Sequence, residues 1–295
     1  MPTVVTKTVG ASGRDYTSLV AAIAAEEAIR ADLVARDEAI VFECYDSVDT
    51  ARVTVAGWTT SVSNSLTVRG AEGTDGFLIE PSSEINFCVD IITSHVAFEN
   101  GKVVHKFATG SGSNYACFNL NQGSDGVSIN NVYGTLEGSG TANTLAFVFA
   151  PAGDRSDSFR THNCVFDCTG HSGSGQSFAR TTRSTYAMGF GHNYQNITCV
   201  DADYFFKFSG FSSGDRPVDV TNVAMLGASS ITDGYTGSSL TYTTCAVDVV
   251  SPPTGWTSGL ASADFEDYAG GDYTPAAGGA LDDAGTDYPH FLPMT

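Results

Sequence analysis

Val96-Ala-Phe-Glu-Asn100 ends an alternating segment on an asparagine, and the design returns four times. The later copies read Val127-Ser-Ile-Asn-Asn131, Phe159-Arg-Thr-His-Asn163, Asn193-Tyr-Gln-Asn196 and Val218-Asp-Val-Thr-Asn222. Their closing asparagines stand 31, 32, 33 and 26 residues apart. Strand-like pieces at such a period, joined by Gly/Ser-rich connections, are the signature of a stacked solenoid. Alternation places Val96, Phe98, Val127, Ile129, Val218 and Val220 on the inner face. Asparagine tolerates the left-handed backbone of a tight corner. At one corner of successive coils, Asn100, Asn131, Asn163, Asn196 and Asn222 form a ladder that shares side-chain hydrogen bonds along the axis.

Short strands are predicted at 52–55, 66–68, 77–79, 87–92 and 96–98. Three to six residues followed by a turn suit a three-faced coil. Upstream, residues 4–9 alternate as a strand, and 39–44 (Ala-Ile-Val-Phe-Glu-Cys) read as a buried one. Between them Leu19 and Ile23 recur at helical spacing. The pattern predicts a helix from Ser18 to about Arg36, capped by Asp15 or Thr17, with Glu26 and Glu27 facing water. A solenoid needs such a piece to cover the open edge of its first coil. The division expected is a strand and capping helix over 1–37, an all-β parallel solenoid over 38–250, and a closing segment over 251–295.

The 295 residues exceed one ordinary compact core, a limit that a solenoid escapes by growing along one axis. Charged residues make up only 16% and glycines number 32, a turn-rich β composition. Net charge is −19, from 14 basic and 33 acidic residues, which argues against nucleic acid or an anionic membrane as partner. No stretch approaches the roughly 18 apolar residues of a membrane span.

Seven cysteines, an odd number, sit mostly beside apolar strand residues, as in Asn86-Phe-Cys-Val89. Met1-Pro-Thr-Val-Val5 has no basic head or apolar run, so no export signal is expected. Together these predict buried, reduced thiols made in a cytoplasm. Cys164 and Cys168 lack the second close pair that a zinc site needs, so neither metal nor cofactor is expected.

The opening Thr8-Val-Gly-Ala-Ser-Gly-Arg-Asp-Tyr-Thr-Ser-Leu19 resembles the start of many right-handed parallel β-helix proteins of the pectate-lyase-like superfamily. The tail from Ala263 to Gly285, with Asp-Phe, Gly-Asp-Tyr, Pro and Asp-Ala-Gly in order, resembles their closing segment. Gly278-Gly279 replaces the usual Ser-Pro there. In character the chain is most similar to tailspike-like virion proteins of tailed bacteriophages. The resemblance implies the fold; activity must be argued from sites, because this fold hosts lyases, hydrolases and non-enzymatic particle proteins.

A lyase of this superfamily would need converging carboxylates around calcium and a basic residue. Asp201 and Asp203 alternate on one side of an expected strand, Asp167 lies about one coil away, and Lys207 is the nearest base. A hydrolase would need paired carboxylates, for which Glu99, Asp125 and Asp167 are candidates. Its Gly-His-Gly segment is approached only by Gly191-His192-Asn193. The catalytic candidates are thus Glu99, Asp167, Asp201 and Asp203, each set against its reading as a solvated turn carboxylate. His162, His171 and His192 read as polar surface residues. The aromatic-rich stretch 201–211 reads as stacked core rather than a sugar platform.

Five of the ten arginines, Arg155, Arg160, Arg180, Arg183 and Arg216, fall in the loop-bearing half. They read either as an interface or as local partners of Asp154, Asp157 and Asp215. Three functions remain in play. The first is a non-enzymatic head-decoration (cement) protein on a phage capsid. It would be homotrimeric, assembled in the host cytoplasm and bound to the major capsid protein or another virion protein. The others are a polysaccharide lyase or hydrolase, and a spike that binds surface carbohydrate without cleaving it.

Overall fold

The computed structural model describes residues 1–83, 85–107, 114–121, 124–138, 144–150, 159–181, 192–208, 218–233, 240–248, 252, 254–279 and 281. Arg155, Arg183 and Arg216 lie outside the described residues, as do Asp154, Asp157 and Asp215.

Two parallel sheets face each other. The broad one runs in chain order through Thr3–Gly10, Glu38–Tyr45, Leu66–Gly70, Val96–Phe107, Ser128–Gly138, Arg160–Asp167, His192–Val200, Val218–Leu226, Cys245–Val247 and Trp256–Ser258. The narrow one runs through Val53–Val55, Phe87–Ile91, Asn114–Leu120, Thr144–Ala150, Gln176–Thr181, Tyr204–Phe208 and Thr232–Asp233. Each coil adds one rung to both. Strand neighbours are one coil apart in sequence, as in Phe98 opposite Ile129 and Ile129 opposite Thr161. This is a parallel β-solenoid, as the repeat predicts.

The five repeat asparagines all take the left-handed backbone, with φ of 58°, 52°, 53°, 54° and 53° in chain order. They bend strands rather than end them. Val96–Phe107 continues through Asn100, so two faces of each coil belong to one bent sheet. One αL residue turns the chain without breaking the flanking ladders.

Inside, Val96, Phe98, Val127, Ile129, Val218 and Val220 are all buried. Phenylalanines stack along the axis. Neighbouring ring centroids from Phe77 through Phe98, Phe118, Phe147 and Phe178 to Phe205 lie 5.9, 5.5, 5.4, 5.1 and 5.1 Å apart. Such pairs add to burial through their ring geometry. Phe205 and Phe206 place the aromatic-rich stretch in this core. Glycines make room for the rings, since a Cβ on Gly134 would lie 2.4 Å from the Phe147 ring. All seven cysteines are buried and unpaired.

The end cap comprises α1 (Leu19–Arg30) and α2 (Leu33–Arg36). Its N-cap is Ser18, whose Oγ accepts from the Ala21 amide at 3.2 Å; neither Asp15 nor Thr17 fills that role. Asp15 is taken instead by the Thr8 amide and hydroxyl, at 2.8 and 3.0 Å. Asp49, buried on the coil beneath, accepts the Leu19 and Val20 amides at 3.0 and 3.1 Å and anchors the helix start.

Glu26 faces the protein, not water, and is 1% exposed. Leu19, Ala22, Ile23 and Glu26 follow helical spacing and share the inner stripe. Tyr16 donates to its carboxylate at 2.6 Å, and Arg30 and Lys7 pair with it. Glu27 lies against Gly57 and is half-buried.

The closing segment folds back over the outside of the broad sheet. Leu260, Phe265, Tyr273 and Leu281 pack on Val165, Val200, Ala224 and Ala246. Among the described residues no helix is long and apolar enough to cross a membrane.

Candidate functional site

Asp167 closes the strand Arg160–Asp167 and has both oxygens occupied. Oδ2 accepts the Tyr133 and Tyr273 hydroxyls at 2.5 and 2.9 Å; Oδ1 accepts the Thr169 amide and hydroxyl at 2.9 and 2.7 Å. Burial and the Asp167 charge push both tyrosine hydroxyls well above their ordinary range, so they stay protonated donors.

Asp201 and Asp203 do not alternate along a strand. Asp201 is a left-handed turn residue (φ 51°), and the strand begins at Tyr204. Asp203 accepts the Gly175 amide on one oxygen and the Ser229 hydroxyl at 3.0 Å on the other. Burial, with the charges of Asp167 and Asp248, holds the Asp201 carboxyl above the usual carboxylate range. Lys207 lies over the Tyr204 ring, 4.9 Å from its centroid. Glu99 belongs elsewhere. It faces outward between Arg69 and Asn130, while His162, the register partner of Asn130, is five residues before Asp167. The structure therefore groups Asp167 with Asp201 and leaves Glu99 outside that group.

His162 and His171 are more enclosed than surface residues. His162 is half-buried, and His171 is 9% exposed with Nδ1 meeting the Gln176 side chain and the Gly173 amide. Both imidazoles are held below their ordinary pKa, chiefly by burial. The His192 side chain lies outside the described residues. Among the described residues no three His, Cys, Asp or Glu side chains converge as metal ligands.

The asparagine side chains bond along the axis. Nδ2 of Asn131 donates to Oδ1 of Asn100 at 2.8 Å, Asn196 to Asn163 at 2.8 Å, and Asn222 to Asn196 at 3.0 Å. Asn163 steps sideways and donates to Oδ1 of Asn130 at 2.9 Å.

A cleft of about 550 Å³ opens on the outside of the broad sheet, at the starts of Val96–Phe107, Ser128–Gly138 and Arg160–Asp167. Of the carboxylate candidates Asp125 lines it, whereas Glu99, Asp167, Asp201 and Asp203 do not. Its wall is built by backbone geometry: His95 and Gly126, on adjacent coils, are both left-handed. A Cβ at Gly126 would lie 2.5 Å from Nδ1 of His95, so only glycine lets the imidazole lie there. Ser128 and Arg160 stand side by side on the sheet, and Asn193 follows Arg160 on the next coil. Arg160 is exposed and, among the described residues, forms no ion pair. Next to it the buried Oδ1 of Asn193 and Nε2 of His162 have no hydrogen-bond partner. Sequence reading separated these residues because they come from different coils; the left-handed glycine after Asp125 was the available signal.

No family model matches the chain, and no curated protein matches it. Two solved structures do. Pectin methylesterase from Aspergillus niger, in deglycosylated form, superposes with a TM-score of 0.52 at 14% identity, over 94% of this chain and 99% of that one. The penultimately deglycosylated form of the same enzyme gives 0.48 at 15% identity, over 92% and 96%. Coil stacking, the N-terminal cap and end-to-end superposition together establish the fold as a parallel β-helix like that of this pectin methylesterase.

Proposed function

We propose that this chain is a non-catalytic structural protein of a tailed phage particle, a head-decoration protein on the capsid exterior that works as a homotrimer. One observation carries the reading: the best-placed carboxylate, Asp167, is consumed in holding the closing segment to the coils. A group fixed by four donors is a poor proton carrier, because its bonds would have to break in each cycle. The charge of −19 suits a surface that keeps particles apart in solution. The exposed apolar side chains Val48, Val62 and Ile92 offer places for contact with neighbouring subunits.

A carbohydrate-active protein is the second reading. It is favoured by a fold that matches a pectin methylesterase end to end and by the polar cleft beside Arg160. Two measurements separate the readings. Mass spectrometry of purified particles with copy-number counting should find hundreds of copies of a decoration protein. Wild-type protein should release no reducing ends, unsaturated ends or methanol from pectin, alginate or capsular sugar, with or without calcium. Such release, lost in Glu99→Gln or Asp201→Asn, would overturn the particle reading. Light scattering should show a trimer, free or on the particle.

A further inference from the structure

We propose that the closing segment is a strap that lifts from the coils as a preformed unit, with Asp201 setting how readily it does so. Such a strap serves a decoration protein and an enzyme alike, since it covers the outer face of the broad sheet.

The strap makes its own structure. Its strands Phe265–Asp267 and Asp272–Pro275 pair antiparallel with each other and belong to neither parallel sheet. Its carboxylates serve it locally. Asp264 accepts the Ala261 amide at 2.7 Å, Asp267 the Gly270 amide at 3.0 Å and Asp272 the Thr274 amide at 3.0 Å. The Leu260 amide donates to the Val247 carbonyl at 3.2 Å. Past it, among the described residues, the main-chain bonds of 261–276 stay inside the segment. Side chains therefore attach the strap, through apolar contact with Val165, Val200, Ala224 and Ala246 and the bond from Tyr273 to Asp167. A unit that keeps its own bonds loses only these on lifting, so it opens more readily than a coil bonded to its neighbours.

Charge works against closure. Residues 217–295 hold ten acidic side chains and no lysine or arginine. Under the strap, Asp167, Asp201 and Asp248 come from three coils, and Tyr268 of the strap feels all three charges. Asp167 has its four donors, and Asp248 accepts the Gly227 and Ala228 amides at 2.8 and 3.4 Å. Asp201 is exposed, and among the described residues nothing donates to its carboxylate. It lies against Gly227, where a Cβ would collide with it. The titratable groups around it are Asp167, Asp248, Tyr268 and Cys168, and none is a cation.

The three carboxylates belong to the coils and repel one another with the strap open as well. Closure takes away part of their water, which raises the cost of each charge and strengthens the repulsion. Burial, then the charges of Asp167 and Asp248, hold the Asp201 carboxyl above its ordinary value of 3.8. A carboxyl raised in the closed state favours closure while protonated, and that contribution is lost as pH rises through the raised value. Salt screens the repulsion and favours closure.

The test places a thiol beneath the strap of the full chain. Ala246→Cys, with Ala224→Cys as a second site, is treated with a thiol reagent, and peptide mass mapping locates the label. Each rate is divided by that of the denatured protein at the same pH. At pH 7 and low salt the new thiol should react while the seven native thiols stay silent. Adding Asp201→Asn, raising salt to about 0.5 M, or moving to about pH 5 should each slow it about threefold or more. That pH is still above the range in which Glu26 protonates. Tyr273→Phe should speed it about fivefold or more. A new thiol that stays silent at pH 7, or reacts only together with the native ones, overturns the proposal. Labelling that is unchanged or faster with Asp201→Asn overturns the part given to Asp201. Circular dichroism checks each variant's fold, and should one cysteine variant fail to fold, the other decides.

Discussion

The Tyr273 hydroxyl donates to Oδ2 of Asp167 at 2.9 Å, joining residues 106 positions apart. Tyr133 donates to the same oxygen, so one carboxylate ties the closing segment to two adjacent coils. Tyr273→Phe removes a hydroxyl and keeps the ring. It should cost about 1–3 kcal/mol, since the hydrogen bond has a charged acceptor. Asp167→Asn should cost at least as much, because the amide presents N–H groups where donors already point. Urea unfolding measures both, and no loss in either variant would show that apolar packing alone holds the tail.

The coils were legible because their inward residues and left-handed asparagines obey a simple period. The clasp was not, since Leu260, Phe265, Tyr273 and Leu281 have no period and their target exists only after folding. Its signal was indirect: Val165, Val200, Ala224 and Ala246 are apolar at outward positions where a solvated strand would be polar. Glu26 misled through its charge, although its seven-residue spacing from Leu19 put it on the buried stripe. Asp201 and Asp203 imitated strand alternation, yet the left-handed backbone at Asp201 starts a turn.

Glu26 should make the end cap sensitive to acid. Burial raises its pKa, but bonds from Tyr16, Lys7 and Arg30 outweigh this and hold it below the ordinary carboxylate value of 4.5. A depressed folded pKa gives stability that is complete above the unfolded value and lost as pH falls through the folded one. Glu26→Gln should therefore cost about 2–4 kcal/mol at pH 7, as one partner of a buried ion pair is removed. The gap between wild type and variant should be full near pH 7 and narrow progressively as pH falls below 4.5. Denaturant melts across pH 3–7 give the comparison, and a gap that stays constant to pH 3 would contradict it.

The thiols should be silent in the folded protein. Burial pushes Cys245 up to about 11 and Cys44 and Cys164 up to about 12, leaving almost no thiolate at neutral pH. A colorimetric thiol reagent should titrate none in native protein and all seven after denaturation without reductant. Rapid reaction of any cysteine in the native state would mean that its coil opens.

Asn196 should be worth more than Asn131, although both are left-handed repeat asparagines. Asn196 donates to Asn163 and accepts from Asn222, at 2.8 and 3.0 Å, and is 9% exposed. Asn131 donates to Asn100, but Asn163 passes it by and donates to Asn130. Replacing either by alanine forces a Cβ-bearing residue to hold φ near 54° or 52° without side-chain support, at about 1–2 kcal/mol. For Asn196→Ala the enclosed Nδ2 of Asn222 also loses its acceptor, adding about 1–3 kcal/mol. The expected cost is therefore about 2–5 kcal/mol at 196, against about 1–2 kcal/mol at 131. Asn196→Gly separates the two terms, because glycine accepts the left-handed backbone but cannot bond along the axis. It should recover only the backbone part. Urea unfolding of the three variants reads out the order, and equal losses at 131 and 196 would reduce the ladder to a set of independent corners.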